Sequence, residues 1–340
     1  MTMKPNFILA VALVALAVTS TQGQQSKAPS SAASTAAPAP APAQGQAQPV
    51  DAPLPDVNAI LDKVKSRIRL DRELQSQYTY LEKRRDVKLS KLGKVMVGPF
   101  RTFEVYPSAK PGRTYKRLVE VDGKRLDAAE LERRDAAHRQ HVLDMIEQEK
   151  NETAQMKAKR EQQEAKDLRE QRDLIDDAFA IFEVKLTGRE MLDGHRVIAA
   201  TLTPRQNVQT KSDEGKWMKR FKGRAWVSDD DWQVAKVEME ALDDISIGWG
   251  LVGRVHQGSK FTFSRTKVNG EVWLPVEMKF EASGRTLLFR KFQIFTVTSY
   301  SDYKKFNVDT SVTFDQPKTE SPESQPQRPP PPERRPEDIP

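Results

Sequence analysis

The chain has 340 residues, no cysteine, and 55 lysines and arginines against 48 acidic residues, for a formal net charge of +7. The absence of cysteine excludes a disulfide framework, a lipid-modified N-terminal cysteine and thiol chemistry. A basic cytoplasmic protein would suggest nucleic acid as a partner, but the N-terminal sequence predicts export. We therefore expect no nucleic acid, and anionic lipid head groups or acidic wall polymer suit the charge better.

Residues 1–23 have the layout of a secretory signal peptide. Lys4 precedes the apolar run Phe7–Val18, and small polar residues follow. This run is shorter than the ~20 apolar residues that a membrane span needs. The sequence therefore predicts an exported protein of the cell envelope, located in the periplasm, with cleavage between Ser20 and Gln24. An uncleaved N-terminal anchor is the alternative.

Two segments that flank the rest of the chain have compositions that cannot form a core. Residues 24–55 are almost wholly Ala, Pro, Ser and Gln, and residues 316–340 are rich in Pro, Glu, Arg, Ser and Gln. Such compositions predict a disordered Ala/Pro-rich linker and a Pro-rich disordered tail. The folded domain is then predicted to span residues 56–315.

This domain is predicted to open with an amphipathic helix over Asp56–Gln77. Asp56 can cap the first turn, and apolar residues recur at a spacing of three to four with charged residues between them. These apolar residues are Val57, Ile60, Leu61, Val64, Ile68 and Leu70. Strand-forming residues separated by turn signals then predict three strands, over Tyr78–Val87, Lys94–Tyr106 and Tyr115–Val121.

Residues 127–177 are predicted to form a long charged helical insertion between strands. Glycine and proline are absent there, and opposite charges stand four residues apart, as in Asp135 with Arg139 and Lys166 with Glu170. Each such pair contributes only ~0.2–0.5 kcal/mol, but a row of them supports an exposed helix. A helix that is polar all round cannot be a core element, so the segment is expected to project into solvent, either as an arm that docks a protein partner or with no partner.

The remainder of the domain is predicted to be β structure. Seven further strands are expected, over Ala178–Thr187, Arg196–Thr203, Lys216–Ser228, Trp232–Leu242, Gly258–Lys267, Glu271–Ala282 and Thr286–Tyr303. Apolar and polar residues alternate along several of them, which predicts an antiparallel sheet with one apolar face. A sheet of about ten strands must curve. The predicted fold class is therefore α+β, a strongly curved antiparallel sheet whose concave side is covered by the N-terminal helix.

Residues that could support catalysis or bind a metal are few and poorly grouped. His138 and His141 lie in the charged helix without a specially placed acidic partner, and Asp229–Asp231 fit a turn better than a calcium site. The glycines of Gly248–Gly253 lack the amphipathic helix that a phosphate-binding loop needs. We therefore predict no enzyme activity, no cofactor and no metal site.

The stretch Lys216–Trp226 combines basic and aromatic residues, a pattern that suits an anionic membrane surface. Single-stranded nucleic acid would suit it chemically, but export makes that partner unsuitable. The predicted membrane-surface residues are Lys216, Trp217, Lys219, Arg220, Phe221 and Lys222. The alternative is an ordinary strand with a cationic outer face.

The order of these segments resembles the outer-membrane lipoprotein-sorting group, the LolA/LolB-like proteins. After the opening helix, a strand begins YTYLEKRR at Tyr78. Three stretches have the succession of strands and turns that is typical of the group: FEVKLTGREMLDGHRVIAATLTPR from Phe182, GRAWVSDDDWQVAKVEMEA from Gly223, and GEVWLPVEMKFEASGRTLLFRKFQIFTVTSYSDYKKF from Gly270. The resemblance implies an unclosed β half-barrel over helices, with an apolar cavity for acyl chains and no catalysis. The chain differs from the small carriers of the group in its long charged insertion, its Pro-rich ends and its excess of basic over acidic residues.

Inward-facing apolar residues are expected to line that cavity. They are Met239, Phe261, Phe263, Met278, Phe280, Phe292 and Ile294. The alternative is that the same residues form a packed core without a ligand. The sequence thus predicts a non-enzymatic envelope protein that binds acyl chains of lipids or lipoproteins, as a carrier or a sensor. A structural or interaction protein that holds partners with the charged arm and the Pro-rich ends is the alternative.

Overall fold

The computed structural model describes residues 53–90, 94–108, 114–247, 253–286 and 289–306. The predicted signal peptide, almost all of the predicted linker, the predicted tail and residues 248–252 of the glycine-rich segment lie outside the described residues.

A single antiparallel sheet dominates the described part of the chain. Its strands are β1 (Tyr78–Leu89), β2 (Val95–Tyr106), β3 (Tyr115–Val121), β4 (Lys124–Arg125), β5 (Phe182–Leu192), β6 (His195–Pro204), β7 (Phe221–Ser228), β8 (Val234–Ala241), β9 (Ile245–Ile247), β10 (Gly253–Val255), β11 (Lys260–Val268), β12 (Val272–Thr286) and β13 (Arg290–Lys305). The strand order is β4-β3-β2-β1-β13-β12-β11-β8-β7-β6-β5, and β10 pairs with both β12 and β9. Because β4 and β5 do not pair, the sheet is an open half-barrel. The predicted α+β fold class is confirmed.

Helix α1 (Val57–Gln75) is the predicted amphipathic helix. The carboxylate of Asp56 accepts a hydrogen bond from the Ala59 backbone N–H at 3.0 Å, which satisfies one of the free donors of the first turn. Ile60 and Val64, one turn apart, are buried in the main core cluster. The helix therefore covers the sheet with the face that its apolar spacing predicts.

The charged insertion forms two helices, α2 (Ala128–Lys150) and α3 (Ala154–Ile181). Asp127 caps α2 and Thr153 caps α3. The chain leaves the sheet at edge strand β4 and returns at the opposite edge strand β5, so the two helices connect the two free edges of the half-barrel. We call this pair of helices the arm.

Two predicted strand boundaries were wrong for reasons of local chemistry. The strand predicted from Ala178 is helical as far as Ile181, because Leu174, Ala178 and Ile181 recur at helical spacing and are buried together in the core. The strand predicted from Lys216 begins only at Phe221. Before it comes a short helix, α4 (Asp213–Met218), which Ser212 caps through the Gly215 N–H at 2.9 Å.

The main core lies between one face of the sheet, which we call the concave face, and the helices α1, α3 and α4. A second cluster lies on the other face and includes Val197, Trp226 and Trp273. Neighbouring residues of β6 divide between the two clusters, as the pleat of a strand requires: Ile198 belongs to the first and Val197 to the second. Among the described residues, no helix is long and apolar enough to cross a membrane.

Candidate functional site

The concave face has a closed half formed by strands β5–β8 and β11. Phe261 and Phe263 of β11 are 2% and 0% exposed, and Met239 of β8 is 7% exposed. Ile60 and Val64 of α1 belong to the same cluster. Three of the seven residues predicted to line a cavity therefore lie in a packed layer beneath a helix.

The other predicted residues lie on β12 and β13, where this packed layer ends. Phe280 pairs with Phe261 and Met278 pairs with Phe263, so they share the concave face. Both are only half-buried, and so is Phe292 of β13. Ile294 is buried. The predicted set thus forms a continuous apolar surface. Its side chains are buried on β8 and β11 and mostly half-buried on β12 and β13.

A close backbone contact fixes the position of Phe292. A Cβ added at Gly284 of β12 would lie 2.5 Å from Phe292 Cζ, and Gly284 pairs directly with Phe292 across the strands. The Phe292 ring therefore lies directly over Gly284. Only a residue without a side chain leaves room for the ring at this position. Sequence reasoning missed this position, although a glycine inside an alternating strand is a known signal of close approach.

The partly open surface continues onto β13, β1, β2 and β3. Thr298 pairs with Met278, and Tyr300, two residues further along β13, pairs with Glu82 of β1, so all four share the concave face. By the same register the face includes Tyr80 of β1, Phe103 and Val105 of β2, and Lys116 and Leu118 of β3. Phe103 and Leu118 are half-buried. Apolar and polar side chains therefore alternate across this half of the face.

A buried carboxylate lies at the centre of this polar group. Glu82 is 2% exposed and forms ion pairs with Lys116 Nζ at 2.7 Å and with Arg84 Nη1 at 3.2 Å. Arg84 also lies 5.2 Å from the ring centre of Phe103. A buried charge needs such partners, because desolvation alone costs several kcal/mol. Arg84 Nε also lies 3.7 Å from Asp86, which pairs with Arg101, so three cations and two carboxylates give this centre a net positive charge.

Tyrosines surround the same centre. The Tyr80 ring lies 6.0 Å from Tyr300 and 5.4 Å from Tyr303, and the Tyr303 hydroxyl donates to the Pro275 carbonyl oxygen at 2.6 Å. Burial, followed by the charge of Glu82, raises the pKa of Tyr80 and Tyr300 well above the usual range. Sequence reasoning missed this group, although the period of two in YTYLE already places Tyr80 and Glu82 on one face.

The basic stretch predicted as a membrane surface has a different structure. Trp217 packs against the core and Phe221 is 4% exposed, so neither ring is available at the surface as a contact. The cations have acidic or backbone partners: Lys216 pairs with Asp213 at 2.6 Å, Arg220 with Asp243 at 2.8 Å, Lys222 with Glu240 at 3.9 Å, and Lys219 donates to the Val208 carbonyl oxygen. This geometry favours the alternative of an ordinary strand with a cationic outer face, except that residues 213–218 form a helix before the strand.

The remaining candidate residues have structural contacts. His138 stacks on Tyr115 with ring centres 4.0 Å apart. Asp229 pairs with Arg196 at 2.9 Å, and Asp231 accepts from Trp273 Nε1 at 2.9 Å and pairs with Lys267. Within the part of the chain that the structure describes, no three potential metal ligands come together.

No protein-family model and no curated protein match the chain. Among solved structures it is similar to a DUF1329 family protein from Desulfovibrio piger, with 14% identity, 76% of this chain and 95% of that chain covered, and a TM-score of 0.26. It is also similar to an outer membrane lipoprotein-sorting protein domain from Vibrio parahaemolyticus, with 10% identity, 76% and 95% covered, and a TM-score of 0.28. A third is a LolA superfamily protein from Nitrosomonas europaea, with 10% identity, 74% and 94% covered, and a TM-score of 0.25. The last two names agree with the resemblance seen in the sequence. With TM-scores this low, the matches carry no conclusion about function.

Proposed function

We propose that this protein is a non-enzymatic protein of the cell envelope, exported to the periplasm, that binds acyl chains of a lipid or lipoprotein on the concave face, as a carrier or a sensor. The observation that supports the proposal is the partly open apolar surface on β12 and β13. Met278, Phe280 and Phe292 lie there beside a closed core but are themselves only half-buried. Each acyl CH₂ group buried against such a surface contributes about 0.8 kcal/mol.

The charged residues around Glu82 determine the orientation that we expect for a bound ligand. Glu82, Arg84 and Lys116 lie beyond the apolar residues on the same face and have a net positive charge. An acyl chain along Phe280 and Met278 would place the polar or anionic end of the ligand towards this centre. Charge-assisted hydrogen bonds from Arg84 and Lys116 to a phosphate or carbonyl oxygen would then fix its orientation.

The test compares two phenylalanines on opposite faces of neighbouring strands. Phe280→Asp places a charge on the concave face, and we expect it to weaken the binding of a fluorescent fatty acid at least about tenfold. Phe295→Asp is the matched control, because Phe295 pairs with Glu281, faces away from the concave side and is 60% exposed. Its binding should equal that of the unchanged protein.

Two results would contradict the proposal. One is that protein purified from the envelope releases no lipid on extraction and binds no fluorescent acyl probe. The other is that Phe280→Asp and Phe295→Asp bind the probe equally well while both keep the melting temperature of the parent. Native mass spectrometry of the purified protein would supply the mass of any bound lipid.

One observation favours a second function, the holding of a protein partner by the arm. Leu143 and Ile146, three residues apart on one side of α2, are 53% and 37% exposed. Exposed apolar residues one turn apart are typical of a helix face that packs against another chain. We expect Leu143→Ser with Ile146→Ser to abolish cross-linking of a periplasmic partner while probe binding is unchanged. Leu168→Ser, which alters an equally exposed residue of α3, is the control; equal loss in both would argue against a specific surface.

A further inference from the structure

Strands β1 and β2 extend beyond their neighbours in the sheet. Strand β13 pairs with β1 only over residues 78–83, and β3 pairs with β2 only over residues 101–106. Beyond these points β1 and β2 pair with each other alone, as far as Leu89 with Val95. Within the described residues, 84–89 and 95–100 therefore form a two-stranded ribbon, which we call the ribbon. A ribbon of two strands is at best marginally stable in water by itself.

The ribbon exposes large apolar side chains on both faces. Met96, Val97 and Phe100 are 47%, 44% and 38% exposed. Successive residues of a strand point to opposite faces, so Met96 and Val97 lie on different sides. Neither face of the ribbon is thus covered at these positions.

Positive charge is concentrated around these side chains. Residues 83–90 and 94–101 contain six lysines and arginines and a single acid, Asp86, so they have a net charge of +5 against +7 for the whole chain. Asp86 is paired with Arg101 and lies 3.7 Å from Arg84. Lys83 has a side chain that is 51% exposed, and Lys94 is exposed. Lys83 lies 4.0 Å from Glu120 and Arg84 pairs with Glu82, whereas Arg85 and Lys94 have no ion pair among the described residues.

We propose that the ribbon docks on an anionic phospholipid membrane. Met96, Val97 and Phe100 would enter the boundary between head groups and acyl chains, and Lys83, Arg85 and Lys94 would contact lipid phosphates. A folded protein partner would cover one face of the ribbon, whereas a bilayer surrounds an inserted end on both faces, which matches the distribution of exposed apolar side chains. The charge matches the negative surface potential of anionic lipids. This inference does not depend on ligand binding at the concave face.

The test is co-sedimentation of the purified full chain with vesicles of phosphatidylcholine alone or with added phosphatidylglycerol. We expect binding only to the anionic vesicles and weaker binding at higher salt. Met96→Ser with Val97→Ser and Phe100→Ser should reduce partition to the anionic vesicles at least about tenfold. Lys83→Gln with Lys94→Gln should reduce it about fivefold for each cation.

Matched controls separate the ribbon from the general surface. Met191→Ser with Phe295→Ser removes two exposed apolar residues outside the ribbon, 65% and 60% exposed, and should leave partition unchanged. Lys216→Gln with Lys222→Gln removes two cations of the other basic stretch and should also have no effect. The proposal is overturned if the ribbon variants bind as tightly as the parent, if the controls lose as much, or if the parent dimerises through the ribbon and binds no vesicles. Binding of the fluorescent fatty acid in lipid-free buffer should be the same in all of these variants.

Discussion

Replacing Arg117 of β3 with methionine is expected to lower the free energy of unfolding by about 3 kcal/mol and to release the start of α2 from the sheet. Arg117 Nε and Nη2 donate to the two carboxylate oxygens of Asp135 at 3.0 and 2.7 Å, and Nη1 donates to Glu104 at 2.9 Å. Asp135 is 2% exposed. The substitution would leave a buried carboxylate without its bidentate partner, and removing one side of a buried ion pair is costly.

Denaturant unfolding measures this effect, and hydrogen exchange of residues 128–140 measures the release of the helix. The double change Arg117→Met with Asp135→Leu should recover most of the stability, because removing both charges of a buried pair is often nearly neutral. Arg160→Met is the control on the same arm. It breaks ion pairs of α3 with Glu152 and Glu164 in which the Arg160 side chain is 43% exposed, and it should leave the denaturation midpoint unchanged. A loss below about 1 kcal/mol for Arg117→Met would show that the pair does not hold the arm.

The same pair shows where sequence reasoning about the arm reached its limit. The spacing of four correctly predicted local pairs, such as Glu130 with Arg134 and Lys166 with Glu170. It also suggested Asp135 with Arg139, and it gave no sign that the Asp135 carboxylate receives Arg117 from strand β3. A helical pattern specifies which residues are neighbours within one helix. It contains no information about the partner that tertiary folding brings to a given carboxylate.

The longer strands were predicted well because alternation is a local signal that several of them show, whereas the short strands β4, β9 and β10 were not predicted. Which parts of the sheet are covered could not be predicted in the same way. Strand β1 pairs with β13, more than two hundred residues later in the chain, and the end of that pairing at Lys83 is what leaves the ribbon without neighbours. Likewise, Phe261 and Phe280 have the same residue type and face the same side, yet Phe261 is buried in the main core cluster and Phe280 is half-buried.

The basic stretch 216–226 shows another limit of a sequence pattern. Basic and aromatic residues that alternate in sequence have the same pattern whether the aromatic rings face a membrane or a core. The acids that pair with its cations, such as Asp243 and Glu240, come from elsewhere in the chain and are recognisable only in the fold. The ribbon has a similar composition, and there too the fold decides which cations are paired: Arg84 pairs with Glu82, whereas Arg85 and Lys94 have no ion pair among the described residues.

The folded protein is expected to show almost no tyrosine ionisation at about pH 11, a pH at which free tyrosine is mostly ionised. The chain has six tyrosines, and in each of them burial is the largest cause of a raised pKa. Burial, then a hydrogen bond to Glu271, raises the pKa of Tyr78 to about 12. Tyr78 is 0% exposed, and its hydroxyl donates to Glu271 and accepts from Asn269 Nδ2 at 3.0 Å.

The consequence for stability follows from the direction of these shifts. The folded state favours the neutral phenols, so their contribution to stability is fully present below about pH 10, the usual pKa of tyrosine, and is lost as the pH rises from 10 towards 12 because only the unfolded chain ionises there. Tyr78 contributes to this loss, because burial and its hydrogen bond to Glu271 raise its pKa to about 12. The free energy of unfolding should therefore fall steeply in this range, and Tyr78→Phe should make the fall shallower. Absorbance of tyrosinate in the folded protein is the direct measurement. A rise in that absorbance with a midpoint near pH 10, before any unfolding, would show that the tyrosines around Glu82 are open to water. It would therefore argue against a concave face from which water is excluded.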